Sequence, residues 1–132
     1  MPIEIVTRNP LSLHPVTFII NGGGVAIQPG AAGDLVFPWD AEFVRMHLNG
    51  RPIDGSMELD ILLSAPGDFP GGAVSMVGAG TPPAIANDRE VVFEDPGDWD
   101  TTHFDAGSVA SLVVNSSTNF DFMTITMIVR SL

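Results

Sequence analysis

The chain has 132 residues, 45% of them hydrophobic, with 16 acidic residues, 5 basic residues and a formal net charge of −11. That length suits one domain with one core, and that apolar content excludes a disordered chain. All five cations are arginine, and cysteine, tyrosine and lysine are absent, which excludes disulfides, thiolate metal sites, cysteine catalysis and a lysine-bearing phosphate loop.

Binding nucleic acid through phosphates needs a basic footprint, and five arginines scattered along the sequence do not supply one. An anionic membrane surface is excluded on the same ground. No apolar run approaches bilayer-spanning length. No basic segment precedes an apolar one at the N-terminus, so no signal peptide is expected. The charge favours solubility at high local concentration, and any self-association must bury enough apolar surface to offset repulsion.

Taken in order, residues 1–15 hold prolines at 2, 10 and 15 and read as an N-terminal arm, with Ile3–Val6 as a short strand. The arm either pairs with a neighbour or is a plain first strand, and Pro10 and Pro15 are expected to break regular structure. The single domain is expected over 16–132. Val16–Ile20 reads as a strand, and the Asn21-Gly22 turn before Val25–Gln28 predicts a hairpin. Asp34–Phe37 is another strand, ended by Pro38.

In 43–48, alternation puts Val44, Met46 and Leu48 on one face and Phe43, Arg45 and His47 on the other. After a turn at 49–55, Met57, Leu59 and Ile61 point inward and Glu58 and Asp60 outward. Together these predict a second hairpin with one buried and one wet face. Residues 64–87, rich in proline and glycine, read as a long loop, functional or partly ordered by neighbours, with room for one helical turn at 83–88. A strand is expected at 89–94 and an acidic turn around Trp99 at 95–105.

The C-terminal stretch is the most regular. Two strands, 108–114 and 120–130, are joined by a polar turn at 115–119. In the last strand Met123, Ile125, Met127 and Val129 face one way, which must be core. Phe122, Thr124, Thr126, Ile128 and Arg130 face the other. That side mixes aromatic, aliphatic and hydroxyl groups, so it reads as a subunit interface formed by Phe122, Thr124, Thr126 and Ile128. The alternative is a half-covered outer face. The short strands and frequent turns predict an all-β fold: an antiparallel β-sandwich, jelly-roll-like, of about eight strands.

Chemistry is thinly signalled. His103, Asp105 and Ser108 lie close in sequence, but a triad is defined by spatial convergence, and Ser108 has no nucleophile-elbow context. The acids Glu94, Asp95, Asp98, Asp100 and Asp105 could offer oxygens to calcium, but they lack EF-hand order. His14, His47 and His103 lack ligand spacing. No catalytic, cofactor or metal site is expected. Trp39 and Trp99 read either as plugs at the ends of the sandwich or as contacts to a receptor or partner.

The run TFIINGGG at 17–24, GDLVFPW at 33–39, MELDILL at 57–63 and GTPPAI at 80–85, then the Trp99 turn, AGSVASLVV at 106–114 and the closing Thr/Ile strand, resembles a β-sandwich module of tailed bacteriophages. That module occurs in tail-fibre, receptor-binding and other virion surface proteins. The likeness spans roughly residues 16–130. Ser108 departs from it where the module usually carries Asp, and so does the charged, proline-bearing loop at 49–55. The resemblance implies a virion protein assembled in the host cytoplasm, without a shared active site, and a homo-oligomer, commonly a trimer.

Two functions follow as expectations. One is a non-enzymatic structural protein of the particle surface, a capsid decoration or small head or tail fibre component that contacts other virion proteins. The other is a receptor-binding module for a host surface glycan or protein.

Overall fold

The structure, a computed structural model, describes residues 12–52 and 54–132. Ten strands follow one another: β1 Leu13–Asn21, β2 Gly30–Val36, β3 Ala41–Arg51, β4 Ser56–Ser64 and β5 Val74–Ser75. They continue as β6 Ala84–Ala86, β7 Glu90–Phe93, β8 His103–Phe104, β9 Val109–Thr118 and β10 Phe122–Ser131. The described residues form no helix. A first sheet runs β1-β10-β3-β7, with β8 also on β3; a second runs β2-β9-β4-β5, with β6 also on β4. All pairs are antiparallel. The first four strands alternate between the sheets, as do β9 and β10, and β1 and β10 lie side by side, as in a jelly roll. The expected fold class is thus observed, and the strands beyond the expected eight include the two-residue pieces β5 and β8.

The core lies between the sheets. From the first sheet come Phe43, Met46, Leu48, Met123, Ile125, Met127 and Val129; from the second, Met57, Leu59, Ile61, Ala110, Leu112 and Val114. β10 alternates between buried and partly exposed positions along its whole length, so its inner register is as expected. Burying each large aliphatic or methionine side chain contributes about 1.5–3 kcal/mol.

Several local expectations are corrected. Pro15 lies inside β1 instead of breaking it. Among the described residues β1 pairs with β10 alone, at the edge of the sheet, and an edge tolerates a missing N–H. The expected arm loses residues 13–15 to this strand, and residues 1–11 lie outside the described part. The Asn-Gly turn forms, but Val25–Gln28 is not a strand, and β1 pairs with β10. Here Gly23 and Gly24 take positive φ (68° and 88°), which favours glycine. β3 and β4 likewise lie in different sheets, so the second hairpin is an arch.

Phe43 is buried, although simple alternation put it opposite Met46. A β-bulge shifts the β10–β3 register between Ile128 and Val129, so Val129 pairs Phe43 while Ile128 pairs Arg45. The extra residue, Val44, reverses the parity. The polar run 115–118 belongs to β9, pairing with Ser56–Glu58 of β4, and the true turn begins at Asn119, whose φ is 64°. Residues 84–86 form β6 rather than a helical turn. The long loop is stapled by buried Met76, Val77 and Ile85.

Candidate functional site

Outward-facing residues of the first sheet come from strand parity. Along β10 these are Phe122, Thr124, Thr126, Ile128 and Arg130, all partly exposed. The register sets them in rows. Asn21, Phe122 and Arg51 form one row; Ile19, Thr124, Asn49 and Glu90 form the next. Thr17, Thr126, His47 and Val92 follow, then Pro15, Ile128 and Arg45. Phe122, Thr124, Thr126 and Ile128, the predicted interface residues, all line one groove of about 590 Å³, walled by His47, Asn49, Arg51, Arg89 and Glu90. The structure therefore brings these four together.

Local contacts order this face. Arg51 holds its guanidinium 4.6 Å from the centroid of the Phe122 ring, a cation–π arrangement. The Thr17 and Thr126 hydroxyls meet at 3.3 Å across β1 and β10. Arg45 Nε donates to His47 Nε2 at 3.2 Å. Arg130 pairs with Glu42 at 3.4 Å. On β1, Ile19 is 65% exposed, so the apolar part of the face reaches the sheet edge.

Sequence reasoning missed the charge of this face. The arginines look scattered along the chain, yet all four described ones, Arg45, Arg51, Arg89 and Arg130, lie on or beside it. A signal was present: positions 45, 47, 49 and 51 alternate as Arg, His, Asn and Arg and so share one side of a strand. Arg89 and Arg130 join them only through the sheet order.

The tryptophans part company. Trp99 is 8% exposed, lies 4.7 Å from Phe43 and 5.5 Å from Phe93 between ring centroids, and donates its indole N–H to the Thr81 carbonyl at 2.8 Å. So enclosed, the ring packs as part of the core cluster. Trp39 is partly exposed at one end of the sandwich, 4.9 Å from the His14 ring.

The remaining polar clusters are separate. His103 Nε2 lies 2.9 Å from Asp105 Oδ1, but the buried Ser108 hydroxyl donates to the Asp105 backbone carbonyl, so no His–Ser couple forms. Asp40, His103 and Asp105 each bring a donor atom within 4.8 Å of the others, a set able to face a divalent cation. Asp40 is anchored there by the Ala106 N–H at 2.8 Å. The acidic turn does not converge in this way: among its members only Asp105 belongs to that set. Asp98 is held below the usual carboxylate range by hydrogen bonds from the Thr81 hydroxyl (2.7 Å) and then the Thr81 N–H (3.0 Å).

No family model matches the sequence, and no curated protein matches it either. Solved structures do match in fold. A chain from the capsid of Ralstonia phage GP4 superposes with a TM-score of 0.60 at 12% identity, covering 99% of this chain and 92% of that one. A chain of sacbrood virus of honeybee gives 0.47 at 8% identity, covering 92% and 83%; one of infectious bursal disease virus, Gx strain, gives 0.41 at 12%, covering 91% and 32%. The last two overlaps are too loose to argue from. At this identity the first is a likeness of fold: the chain is built as the same kind of β-sandwich as a phage capsid chain.

Proposed function

We propose that this chain is a non-enzymatic structural protein on the surface of a bacteriophage particle, working as a capsid decoration or small fibre component. It self-associates through the outer face of β10, with Phe122, Thr124, Thr126 and Ile128 at the contact, as a ring of three. The observation that carries the virion reading is the overlap with the phage capsid chain, which takes in nearly all of both. The likeness is therefore between whole sandwiches and not between shared hairpins.

Self-association is supported by the face itself. Phe122 and Ile128 sit beside small hydroxyls that permit close approach, and Ile19 extends the apolar surface. Covering such area is worth about 25 cal/mol per Å². A soluble homo-oligomer usually closes into a ring.

Two measurements test this. Antibodies to the folded protein should label purified particles in electron microscopy; unlabelled particles would overturn the virion role. Light scattering at micromolar concentration should give an oligomer for the wild type and a monomer for Ile128→Arg. A variant that keeps the wild-type mass would remove this face from the contact.

A further inference from the structure

We propose that the arginine-bearing outer face of the first sheet docks on the acidic outer face of the second sheet of another copy of this chain. The inference rests on the self-association proposed above and names its counter-surface.

The first observation is a set of unspent cations. Acids outnumber cations 16 to 5, yet the ion pairs among the described residues are only Arg130–Glu42 and His103–Asp105. Arg51 and Arg89 line the groove, Arg45 pairs with Ile128 at its end, and among the described residues none of the three forms an ion pair. A guanidinium is a fixed fork of donors suited to carboxylates, and Arg45, which donates to His47, and Arg51, which stacks on Phe122, each have donors beyond those contacts.

The second observation is the opposite side of the sandwich. Asp34, Glu58 and Asp60 lie on the outer face of the second sheet, and none of the described arginines does. Two of these carboxylates are held in place. Asp34 accepts from the Ser111 hydroxyl at 2.6 Å; Asp60 accepts from the Ser75 hydroxyl at 2.6 Å and from the Ile61 N–H at 2.7 Å. Beside them run Val36, Val109 and Val113.

The two faces share one plan with opposite sign. In the first sheet an apolar and hydroxyl stripe on β1 and β10 flanks cations on β3. In the second a valine and serine stripe on β2 and β9 flanks Glu58 and Asp60 on β4. Sheets stack face to face at about 10 Å. Placing the first face on its own copy would set arginine against arginine, and the second on itself acid against acid. The unlike pairing is the more complementary one, because the first face carries four arginines against Glu42 and Glu90. That contact is heterologous, and because the two faces lie on opposite sides of the sandwich, repeating it stacks copies head to tail; it closes a ring only where the rotation between copies does.

The test reverses charge on each face and reads mass by light scattering, with circular dichroism and melting temperature verifying the fold. Arg45→Glu with Arg89→Glu should lose the oligomer at micromolar concentration. Glu58→Arg with Asp34→Arg should lose it too. One chain carrying all four substitutions should regain the wild-type mass, because the complementarity is restored with its sign exchanged. Raising the salt should weaken the wild-type oligomer.

A fourfold variant that stays a folded monomer, or either reversed pair keeping the wild-type mass, would overturn the inference. In both cases an Ile128→Arg monomer would still leave self-association standing, with its counter-surface elsewhere. A wild-type monomer would remove the association itself and this inference with it. If the first-face reversal keeps its mass but loses retention on immobilised oligogalacturonate, the groove serves an acidic saccharide and the inference fails.

Discussion

The two sides of β10 differ as sharply as any two regions of this molecule. On the inner side Met123, Ile125 and Val129 have no exposed surface, and Met127 has almost none. One residue away, Phe122, Thr124, Thr126 and Ile128 are all partly exposed and line a groove beside arginines. Both sides carry isoleucine, so hydrophobicity alone does not separate them. Their neighbours do. Ile125 meets the apolar face of a second sheet, whereas Ile128 has Pro15 and Arg45 across the ladder and stays partly exposed. The inner side is held by packing within the chain; the outer side is free for contact with another.

The largest effect should come from breaking the inner side. Ile125→Asp buries a carboxylate without a partner, at a cost on the order of 5 kcal/mol or more, comparable to a domain's whole stability of about 5–15 kcal/mol. The expected outcome is no soluble folded protein. A soluble variant with wild-type melting would show that Ile125 does not face the core.

Next is Trp99→Ala, which empties the space between Phe43 and Phe93 and leaves the Thr81 carbonyl without its donor. A loss of about 3–5 kcal/mol is expected in denaturant unfolding, as for other buried tryptophans. An unchanged midpoint would return Trp99 to the surface and to the receptor reading.

On the outer side the expectation reverses. Ile128→Arg should change unfolding free energy by no more than about 0.5 kcal/mol, as exposed substitutions do, while lowering the mass in light scattering. Equal damage to stability and assembly would erase the distinction between the two sides.

The smallest effect lies away from both, at the Trp99 turn. Thr81→Ala removes the hydroxyl that contributes most to lowering the Asp98 pKa, so that pKa should rise toward its ordinary 3.8. The sign follows from linkage: a carboxyl depressed in the folded state adds stability above its unfolded pKa and loses it as pH falls through the folded one. The wild type should therefore lose more stability than the variant between pH 3.8 and the lower folded value. Carbon-detected NMR titration of Asp98 reads the shift directly. No change on substitution would mean that the bond is not kept in solution.

The all-β class, the inward registers of β4 and β10, and the mixed outer face of β10 were legible from the residue pattern alone. These follow from parity, because a pleated strand sends alternate side chains to opposite sides whatever surrounds it. Parity failed where one residue was added: the bulge at Val44 put Phe43 in the core, and no propensity of valine marks a bulge. Turn signals also fell short. Asn21-Gly22 and the 49–55 loop do reverse the chain, but the same turns serve a hairpin within one sheet and an arch between two.

Only the tertiary structure decided between those, since pairing β1 with β10 brings together residues more than a hundred positions apart and depends on how the whole core closes. That closure also assembled the candidate face. Phe122, Thr124, Thr126 and Ile128 were legible from one strand, and Arg45, His47 and Arg51 were written in another. Their meeting, with Arg89 at the rim and the acids on the far side, is a consequence of sheet order, which local sequence does not encode.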